Sequence, residues 1–366
     1  MKVVILSEVD WDYLWQRHHV WATLYAEQGL PTFYINKQGM RMPKWHEWGY
    51  VLKRILQKPN VPTSSPVKIR SPLFFPGNSL VSRLLNRFFF VPRFVKELRN
   101  EADLLLHVYQ PTALTQMLIE ELPGAQVLYD CVQNFADHPT ASTATRRIEK
   151  WLIARADLMI TDSDFLYELH KPVKKDLIQV PPGVDFDAFR SCYRGDEKSS
   201  HPRFVYYGNI RSDLDFTLIN GIAERGYSVT LVGKTHPDIL LRISPRVKLV
   251  PQKTYAELPA FLKMYDILLL PYAVNSFTQG IIPAKMYECL AMGKPILATR
   301  FGNLKKFETM LHFIDHAEEI EGVLEQIRQE PDLRVKERIA CAQNESWQAR
   351  FHLFYGPINK PVPFLV

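Results

Sequence analysis

Residues 266–300, DILLLPYAVNSFTQGIIPAKMYECLAMGKPILATR, contain one complete strand–helix–strand unit. DILLLPY (266–272) and PILATR (295–300) are short apolar runs of strand length, and a helical segment with Pro283 in its first turn lies between them. Two buried strands joined through a helix predict a parallel pair with a crossover connection. The stretch therefore predicts an α/β fold.

The same alternation of strands and helices extends along most of the chain. Continuous apolar strands that alternate with helices are typical of parallel sheets covered on both faces. The other predicted strands are KVVILS (2–7), PTFYIN (31–36), ADLLLHVY (102–109), QVLYDCV (126–132), DLMITDS (157–163), FVYYGNI (204–210), YSVTLVGK (227–234) and RVKLVPQ (246–252). Two such series in tandem predict two Rossmann-like domains whose parallel sheets face a cleft.

A polar stretch, RSCYRGDEKSSHPR, separates the two series and has the composition of an interdomain linker. The 366 residues also exceed what one compact core usually holds. We therefore predict an N-terminal domain over 1–189, a linker over 190–203 and a C-terminal domain over 204–344. We expect the terminal helix, within 345–366, to pack back on the first domain.

Composition and charge narrow the functional class. Hydrophobic residues make up 46% of the chain and charged residues 23%, which is the balance of a globular protein. No apolar run approaches the ~20 residues that span a bilayer, and the N-terminus is too acidic and aromatic for a secretory signal. The four cysteines are scattered without a C-x-x-C pair, as in a reduced cytosolic protein. The net charge of +6 favours an anionic surface or a polyanionic small substrate over nucleic acid, because no nucleic-acid motif is present.

Two segments of the first half mix aromatic and basic residues. They are GMRMPKWHEWGYVLKRILQKP (39–59) and RLLNRFFFVPRFVKELR (83–99). Such segments suit an anionic membrane surface, where aromatic rings lie at headgroup level and cations meet phosphates. Ordinary amphipathic helices packed on the domain, with solvated charges, are the alternative.

Lys285 and Glu288 lie three residues apart where the helix after DILLLPY begins. In doubly wound sheets, ligands bind beyond the carboxyl ends of strands, where helices start. A cation at a helix start suits phosphate, and a carboxylate one turn later can accept two hydrogen bonds from a ribose diol. The pair therefore indicates a nucleoside diphosphate site. An i,i+3 pair on the surface is the alternative.

The chain resembles GT-B glycosyltransferases of the bacterial exopolysaccharide and teichuronic-acid type (family 4-like, or group 1). The segments that carry the resemblance are PPGVDFDAF (181–189), YYGNI (206–210), PQKTYAELPAFLKMYDILLLPY (251–272), residues 275–278, PAKMYECLAMGKP (283–295) and ESWQAR (345–350). Weaker similarities are found in QRHHVWATLYAEQG (16–29) and ADLMITDSDFL (157–166). The resemblance implies an acceptor-binding first domain and a second domain that binds a nucleotide-sugar donor.

Six residues of the second domain are implied in donor binding. Lys285 would contact the diphosphate and Glu288 the ribose, as the local pattern also indicates. The other four are Thr278 in the phosphate loop, Gly208 where the backbone approaches the donor, and the cations Arg211 and Lys234 at strand ends. Both cations could instead be solvated loop residues.

Many retaining members of the family carry two glutamates separated by seven residues. Here Gln279 and Gly280 occupy the neighbourhood of the first glutamate, so inverting and retaining chemistry both stay open. Three D-x-D strings begin at Asp162, Asp185 and Asp213. Helix capping explains them more simply than a divalent cation does, so we predict no metal site.

An inverting transferase needs a base that removes the proton of the acceptor hydroxyl. Asp137, in the loop after QVLYDCV, is the first candidate and Asp130 the second. The aromatic and acidic loop 8–15 suits an acceptor sugar ring. The predicted acceptor-binding residues are Asp10, Trp11, Arg17 and His18.

The sequence thus predicts a metal-independent glycosyltransferase that moves a sugar from a nucleotide sugar, with UDP favoured, to a glycan or lipid-linked acceptor in cell-surface polysaccharide synthesis. The nucleotide sugar is a substrate, and no cofactor is expected. We expect a cytoplasmic protein, peripheral on the inner face of the plasma membrane. A nonhydrolysing nucleotide-sugar epimerase of the same architecture and an inactive partner subunit are the alternatives.

Overall fold

A computed structural model describes residues 1–13, 15–37, 66–75, 80–136, 142–193, 199–274, 285–301 and 304–359. The chain divides into two compact units, Met1–Pro181 with Phe351–Val366, and Pro182–Arg350. Residues 182–189 thus belong to the second unit rather than the first. A backbone contact joins this stretch to the second unit, since the Val184 N–H donates to the Glu345 carbonyl over 2.9 Å.

The first unit is a seven-stranded parallel sheet with the strand order β3-β2-β1-β4-β5-β6-β7. Its strands are β1 (Lys2–Leu6), β2 (Thr32–Ile35), β3 (Val67–Arg70), β4 (Leu104–Val108), β5 (Gln126–Cys131), β6 (Leu158–Thr161) and β7 (Leu177–Gln179). Its helices are α1 (Arg17–Glu27), α2 (Leu80–Leu85), α3 (Val91–Val95), α4 (Ala113–Glu121), α5 (Thr143–Arg155) and α6 (Asp164–His170), with a π-helical turn at Asn86–Phe90. All five residues of β4 are buried, as expected for a central parallel strand covered on both faces.

The second unit is a six-stranded parallel sheet with the order β10-β9-β8-β11-β12-β13. Its strands are β8 (Arg203–Tyr207), β9 (Ser228–Val232), β10 (Lys248–Val250), β11 (Ile267–Leu270), β12 (Ile296–Ala298) and β13 (His312–Phe313). Its helices are α7 (Phe186–Arg190), α8 (Phe216–Glu224), α9 (Leu258–Leu262), α10 (Met286–Ala291), α11 (Ile320–Arg328) and α12 (Asp332–Gln343), with 3-10 turns at Pro237–Arg242, Lys305–Met310 and Ala317–Glu319. In both sheets the first strand along the chain lies near the middle, so its carboxyl end is flanked by other strand ends.

The last helix, α13 (Trp347–Ile358), crosses the division between the two units. Its residues from Phe351 onward belong to the first unit. There, Phe354 meets Trp21 edge-on at 5.1 Å between ring centroids, and Phe351 meets Tyr25 at 5.0 Å. Aromatic contacts of this kind hold the end of the chain against α1.

Lys294, in the GKP turn of the opening stretch, has a structural role. Its side chain is 6% exposed. The Nζ atom donates to the carbonyl oxygens of Leu262, Lys263 and Tyr265 at the end of α9, at 2.7 Å for Leu262. A cation at a helix C-terminus satisfies carbonyls that have no partner within the helix.

Candidate functional site

Two glycines make close backbone approach possible at the carboxyl ends of β8 and β9. Gly208 and Gly233 have φ angles of 132° and 149°, which side-chain-bearing residues rarely adopt. A Cβ on Gly233 would overlap the Gly208 carbonyl, and a Cβ on Gly208 would lie 2.6 Å from Lys285 Nζ. The predicted glycine turn is therefore required by the two positive φ angles and by the close approach of the Gly208 and Gly233 backbones.

Lys285 precedes α10 as its N-cap residue rather than lying inside the first turn. Its Nζ donates to the carbonyl of Tyr207 and lies over the ring of Tyr206, 3.9 Å from the centroid. The Tyr272 ring is 5.8 Å away. Aromatic faces stabilise a cation without neutralising it. Lys285 is thus a partly buried, positioned positive charge at this end of the sheet.

Glu288, in the first turn of α10, is also partly buried. The Tyr207 hydroxyl donates to Glu288 Oε2 over 3.1 Å. Burial raises the pKa of the Glu288 carboxyl to about 7, against the opposing effects of the Tyr207 hydrogen bond and the Lys285 charge. The side chains of Lys285 and Glu288 both contact Tyr207, which fixes their positions. They are therefore not a solvated pair on the surface.

The other predicted donor residues have different surroundings. Arg211 is exposed and pairs with Asp213 at 3.0 Å. Lys234, also exposed, follows β9 in a loop that the Ile210 N–H ties to the Lys234 carbonyl over 2.9 Å. The two loops that carry the cations are therefore joined. Thr278 lies outside the described residues.

Asp130 is fully buried at the end of β5 and forms the centre of a charged cluster. It accepts hydrogen bonds from Arg17 Nε (2.7 Å), Trp21 Nε1 (3.1 Å) and His107 Nε2 (3.3 Å). Arg17 and His107 outweigh burial and hold the pKa of Asp130 well below its usual range. Asp130 is thus the wrong group for a general base, because its oxygens are inaccessible and its basicity is low. Asp137 lies outside the described residues.

Arg17 and His18 lie inside the first unit, so the prediction that they face the acceptor needs correction. Both are buried, and Arg17 serves as the counter-ion of Asp130. His18 packs on the Tyr109 ring with 3.7 Å between centroids. Three residues there have buried side-chain atoms without a hydrogen-bond partner, namely Arg17 Nη2, both ring nitrogens of His18 and Thr161 Oγ1.

The loop 8–15 presents aromatic rings. Trp11 is partly buried against Tyr34 and His19, at 4.9 and 5.2 Å between ring centroids. The Asp10 carbonyl lies 3.3 Å from His19 Nε2. Trp15, 39% exposed, offers an accessible aromatic face. Trp11 therefore supports the loop from within.

Glu8, two residues after β1, is one of the acids that follow the first predicted strand, although the sequence favours Asp137 and Asp130 as the base. Its Oε2 atom accepts from Gln133 Nε2 over 2.9 Å and from Gln110 Nε2 over 3.5 Å, while Oε1 lies 3.8 Å from His18 Nε2. Burial raises the pKa of Glu8 to about 7, with Asp130 acting in the same direction and Lys37 opposing. The sequence places this acid after the first strand, but its burial and its two glutamine partners are visible only in the structure.

The D-x-D strings mostly support helix starts, as predicted. Asp185 and Asp215 accept from backbone N–H groups of α7 and α8, over 3.2 and 3.0 Å, whereas Ser163 rather than Asp162 caps α6. One other group has the spacing of metal ligands. Among the described residues, the ligand atoms of Cys131, Glu149 and His170 lie within 4.8 Å of one another.

No helix among the described residues has both the length and the apolarity that a membrane span requires.

Known proteins are similar to this chain in sequence and in fold. No protein-family profile matches the chain. A relative from Bacillus subtilis strain 168, provisionally named teichuronic acid biosynthesis glycosyltransferase TuaH, is 28% identical over 272 residues, which cover 64% of this chain and 68% of the relative.

Solved structures resemble the chain over nearly its full length. HepE of Anabaena, in complex with UDP and glucose, has a TM-score of 0.63 at 13% identity and covers 98% of this chain and 100% of its own. A trehalose-6-phosphate protein of E. coli bound to UDP-2-fluoroglucose has a TM-score of 0.60 at 11% identity, covering 99% and 100%. These structures confirm the predicted GT-B fold with its two parallel sheets. The relative confirms the resemblance to teichuronic-acid type glycosyltransferases and agrees with the predicted enzyme class.

Proposed function

We propose that the chain is a glycosyltransferase that moves a sugar from a UDP-sugar to a glycan or lipid-linked acceptor in cell-surface polysaccharide synthesis. The name of the Bacillus relative and the UDP bound in HepE support this assignment. The observation that carries it is the arrangement of Lys285, Gly208 and Glu288 around Tyr207. This arrangement places a cation, a glycine backbone without a side chain and a carboxyl group at one end of the second sheet.

Each member of this arrangement has a role in the proposed donor site. Lys285 binds the diphosphate and stabilises the negative charge that develops as the sugar departs. Glu288 accepts hydrogen bonds from the ribose hydroxyls, which favours its ionised form. Arg211 and Lys234 add positive charge from the joined loops, so that cationic side chains neutralise the leaving diphosphate and the transfer proceeds without a metal.

We assign removal of the acceptor proton to Glu8. Its carboxyl is partly accessible, two glutamine amides orient it, and a pKa of about 7 suits a general base near neutral pH. In the proposed step the acceptor oxygen forms a bond to the anomeric carbon as its proton passes to Glu8. The bond from that carbon to the diphosphate breaks, and UDP leaves with the electron pair.

The test of the donor site is calorimetry with UDP, GDP and ADP, each with and without magnesium. We expect UDP alone to bind, with the same affinity in both conditions. Lys285→Ala should abolish binding while the protein stays folded, and Lys248→Ala, an exposed lysine of β10, serves as the matched control. Normal UDP binding by Lys285→Ala would overturn the donor-site assignment, and tighter binding with magnesium would overturn metal independence.

A further inference from the structure

A set of large apolar side chains is exposed on one helical segment of the first unit. We call it the 80–89 face. Its members and their exposed fractions are Leu80 (73%), Val81 (61%), Leu84 (46%), Phe88 (65%) and Phe89 (60%). Single exposed apolar residues are common on protein surfaces, whereas a group of them on one segment is typical of an interaction site.

The π-helical turn at Asn86–Phe90 creates part of this face. The buried positions of the segment are Ser82, Asn86, Val91 and Val95, so the interval across the turn is five residues instead of the usual four. The additional residue leaves positions 87–89 exposed in succession. The Asn86 side chain holds the turn in place by bonding both the N–H and the carbonyl of Phe75, over 2.7 and 2.8 Å. Such turns occur often at functional sites.

The same segment is strongly basic. Residues 80–99 contain five basic residues and one acidic residue, which gives 5 − 1 = +4. The acidic residue, Glu97, is itself paired with Arg70 at 2.8 Å. Arg83 and Arg87 lie between the apolar residues of the 80–89 face, and Arg87 is exposed.

We propose that the 80–89 face binds the surface of an anionic lipid bilayer. Phe88, Phe89 and Leu84 enter the boundary between headgroups and acyl chains, while Arg83 and Arg87 meet lipid phosphates. Charge complementarity selects this occupant, because a second copy would bring two faces of positive charge together. The inference deepens the proposed function, since it places the enzyme where a lipid-linked acceptor is presented.

Co-sedimentation with vesicles tests the proposal. The full-length protein is mixed with vesicles of phosphatidylcholine alone, or of phosphatidylcholine and phosphatidylglycerol in equal amounts, at low and high salt. We expect binding to the anionic vesicles only, with a loss of affinity as salt increases. Phe88→Ser with Phe89→Ser should weaken binding roughly tenfold or more through lost apolar insertion. Arg83→Glu with Arg87→Glu should do so through charge, by a similar factor.

Leu241→Ser is the matched control, because Leu241 is 99% exposed in the second unit and lies outside the face. Its binding should equal that of the unchanged protein. Equal binding to neutral and anionic vesicles, or unchanged binding by both double variants, would overturn the proposal. A dimer in light scattering that Phe88→Ser with Phe89→Ser dissociates would also overturn it, in favour of a second copy. If the donor-site proposal is correct, all these variants bind UDP with the affinity of the unchanged protein. A failure of the membrane proposal can therefore be distinguished from a failure of the donor-site proposal.

Discussion

Asp130 in the first unit and Glu288 in the second are acids in sheltered sites near strand ends, yet their pKa values are shifted in opposite directions. Asp130 contacts a guanidinium directly and its pKa is lowered, whereas Glu288 accepts from a tyrosine hydroxyl and its pKa rises to about 7. Desolvation is the largest influence on the pKa of both acids, so the hydrogen-bonding or charged partner decides whether the pKa rises or falls. The comparison separates a carboxylate that stabilises the fold from one that can respond to a ligand.

The largest expected effect comes from removing the counter-ion of Asp130. Arg17→Met leaves a buried carboxylate without its main partner and should lower the free energy of unfolding by about 3–5 kcal/mol. Urea unfolding measures this. The double variant Arg17→Met with Asp130→Asn should recover part of the loss, since the charge is gone. Lys171→Met, which removes an exposed ion pair, should cost under about 1 kcal/mol. If Arg17→Met and Lys171→Met lower the free energy of unfolding equally, the buried partner of Asp130 does not have the role that we assign to it.

A second effect concerns Glu8, a carboxyl in the first unit whose pKa is raised by burial, as that of Glu288 is. Glu8→Gln should lower the rate at which UDP is released from the UDP-sugar donor during transfer by about 10²–10⁴-fold, while UDP affinity stays unchanged. Because a base must be ionised, the rate of the unchanged enzyme should increase as the pH rises through about 7. A rate profile with the same pH dependence in Glu8→Gln would exclude Glu8 as the proton acceptor.

The third effect is on the pH dependence of donor binding. Glu288 must be ionised to accept ribose hydrogen bonds, so UDP affinity should increase as the pH rises through about 7. Glu288→Gln should bind UDP about tenfold more weakly above that pH, corresponding to roughly 1.4 kcal/mol. The ratio of the two dissociation constants is the informative quantity, because titration of UDP itself cancels. A ratio that does not change with pH would contradict the proposed role.

The two acids should change the free energy of unfolding in opposite directions as the pH rises. The raised pKa of Glu288 means that its contribution to the free energy of unfolding decreases as the pH rises from about 4.5 to about 7, and Glu288→Gln should remove this contribution to the slope. The stabilisation from Asp130 is present at neutral pH and is lost only in strong acid, below the ordinary pKa of an aspartate. Unfolding measured over this pH range distinguishes them.

The smallest effect is expected for Tyr207→Phe. Loss of the hydroxyl removes a hydrogen bond to the charged form of Glu288, so the pKa of Glu288 should rise further. The midpoint of the pH dependence of UDP binding should move upward, with a cost of about 1 kcal/mol in binding at neutral pH. Tyr227→Phe, remote from this group and exposed at its hydroxyl, is the control.

Much of the fold follows from local patterns. The predicted strands at 2–7, 126–132 and 266–272 all contain observed strands, because continuous apolar runs flanked by helices leave few alternatives. The strands β3, β7 and β13 were missed. VKIR in β3 is half polar, and β7 and β13 have three and two residues, so none carries enough apolar residues to be read as buried.

The candidate site was predictable only where its chemistry is local. Lys285 and Glu288 are three residues apart, and the structure brings both to Tyr207. Asp130 depends on Arg17, which is 113 positions away, so no local pattern reveals that its charge is neutralised. Helix α10 also begins at Met286, later than the predicted start near Pro283.

Because three carbonyls surround the Lys294 amine, its chemical reactivity depends on local opening of the structure at the end of α9. While α9 stays closed, the amine is sheltered from reagents that modify exposed lysines such as Lys248. Its labelling rate, read by mass spectrometry, therefore measures how often the end of α9 separates from the GKP turn. Slower labelling in the presence of UDP would show that a nucleotide restrains a helix it does not need to touch.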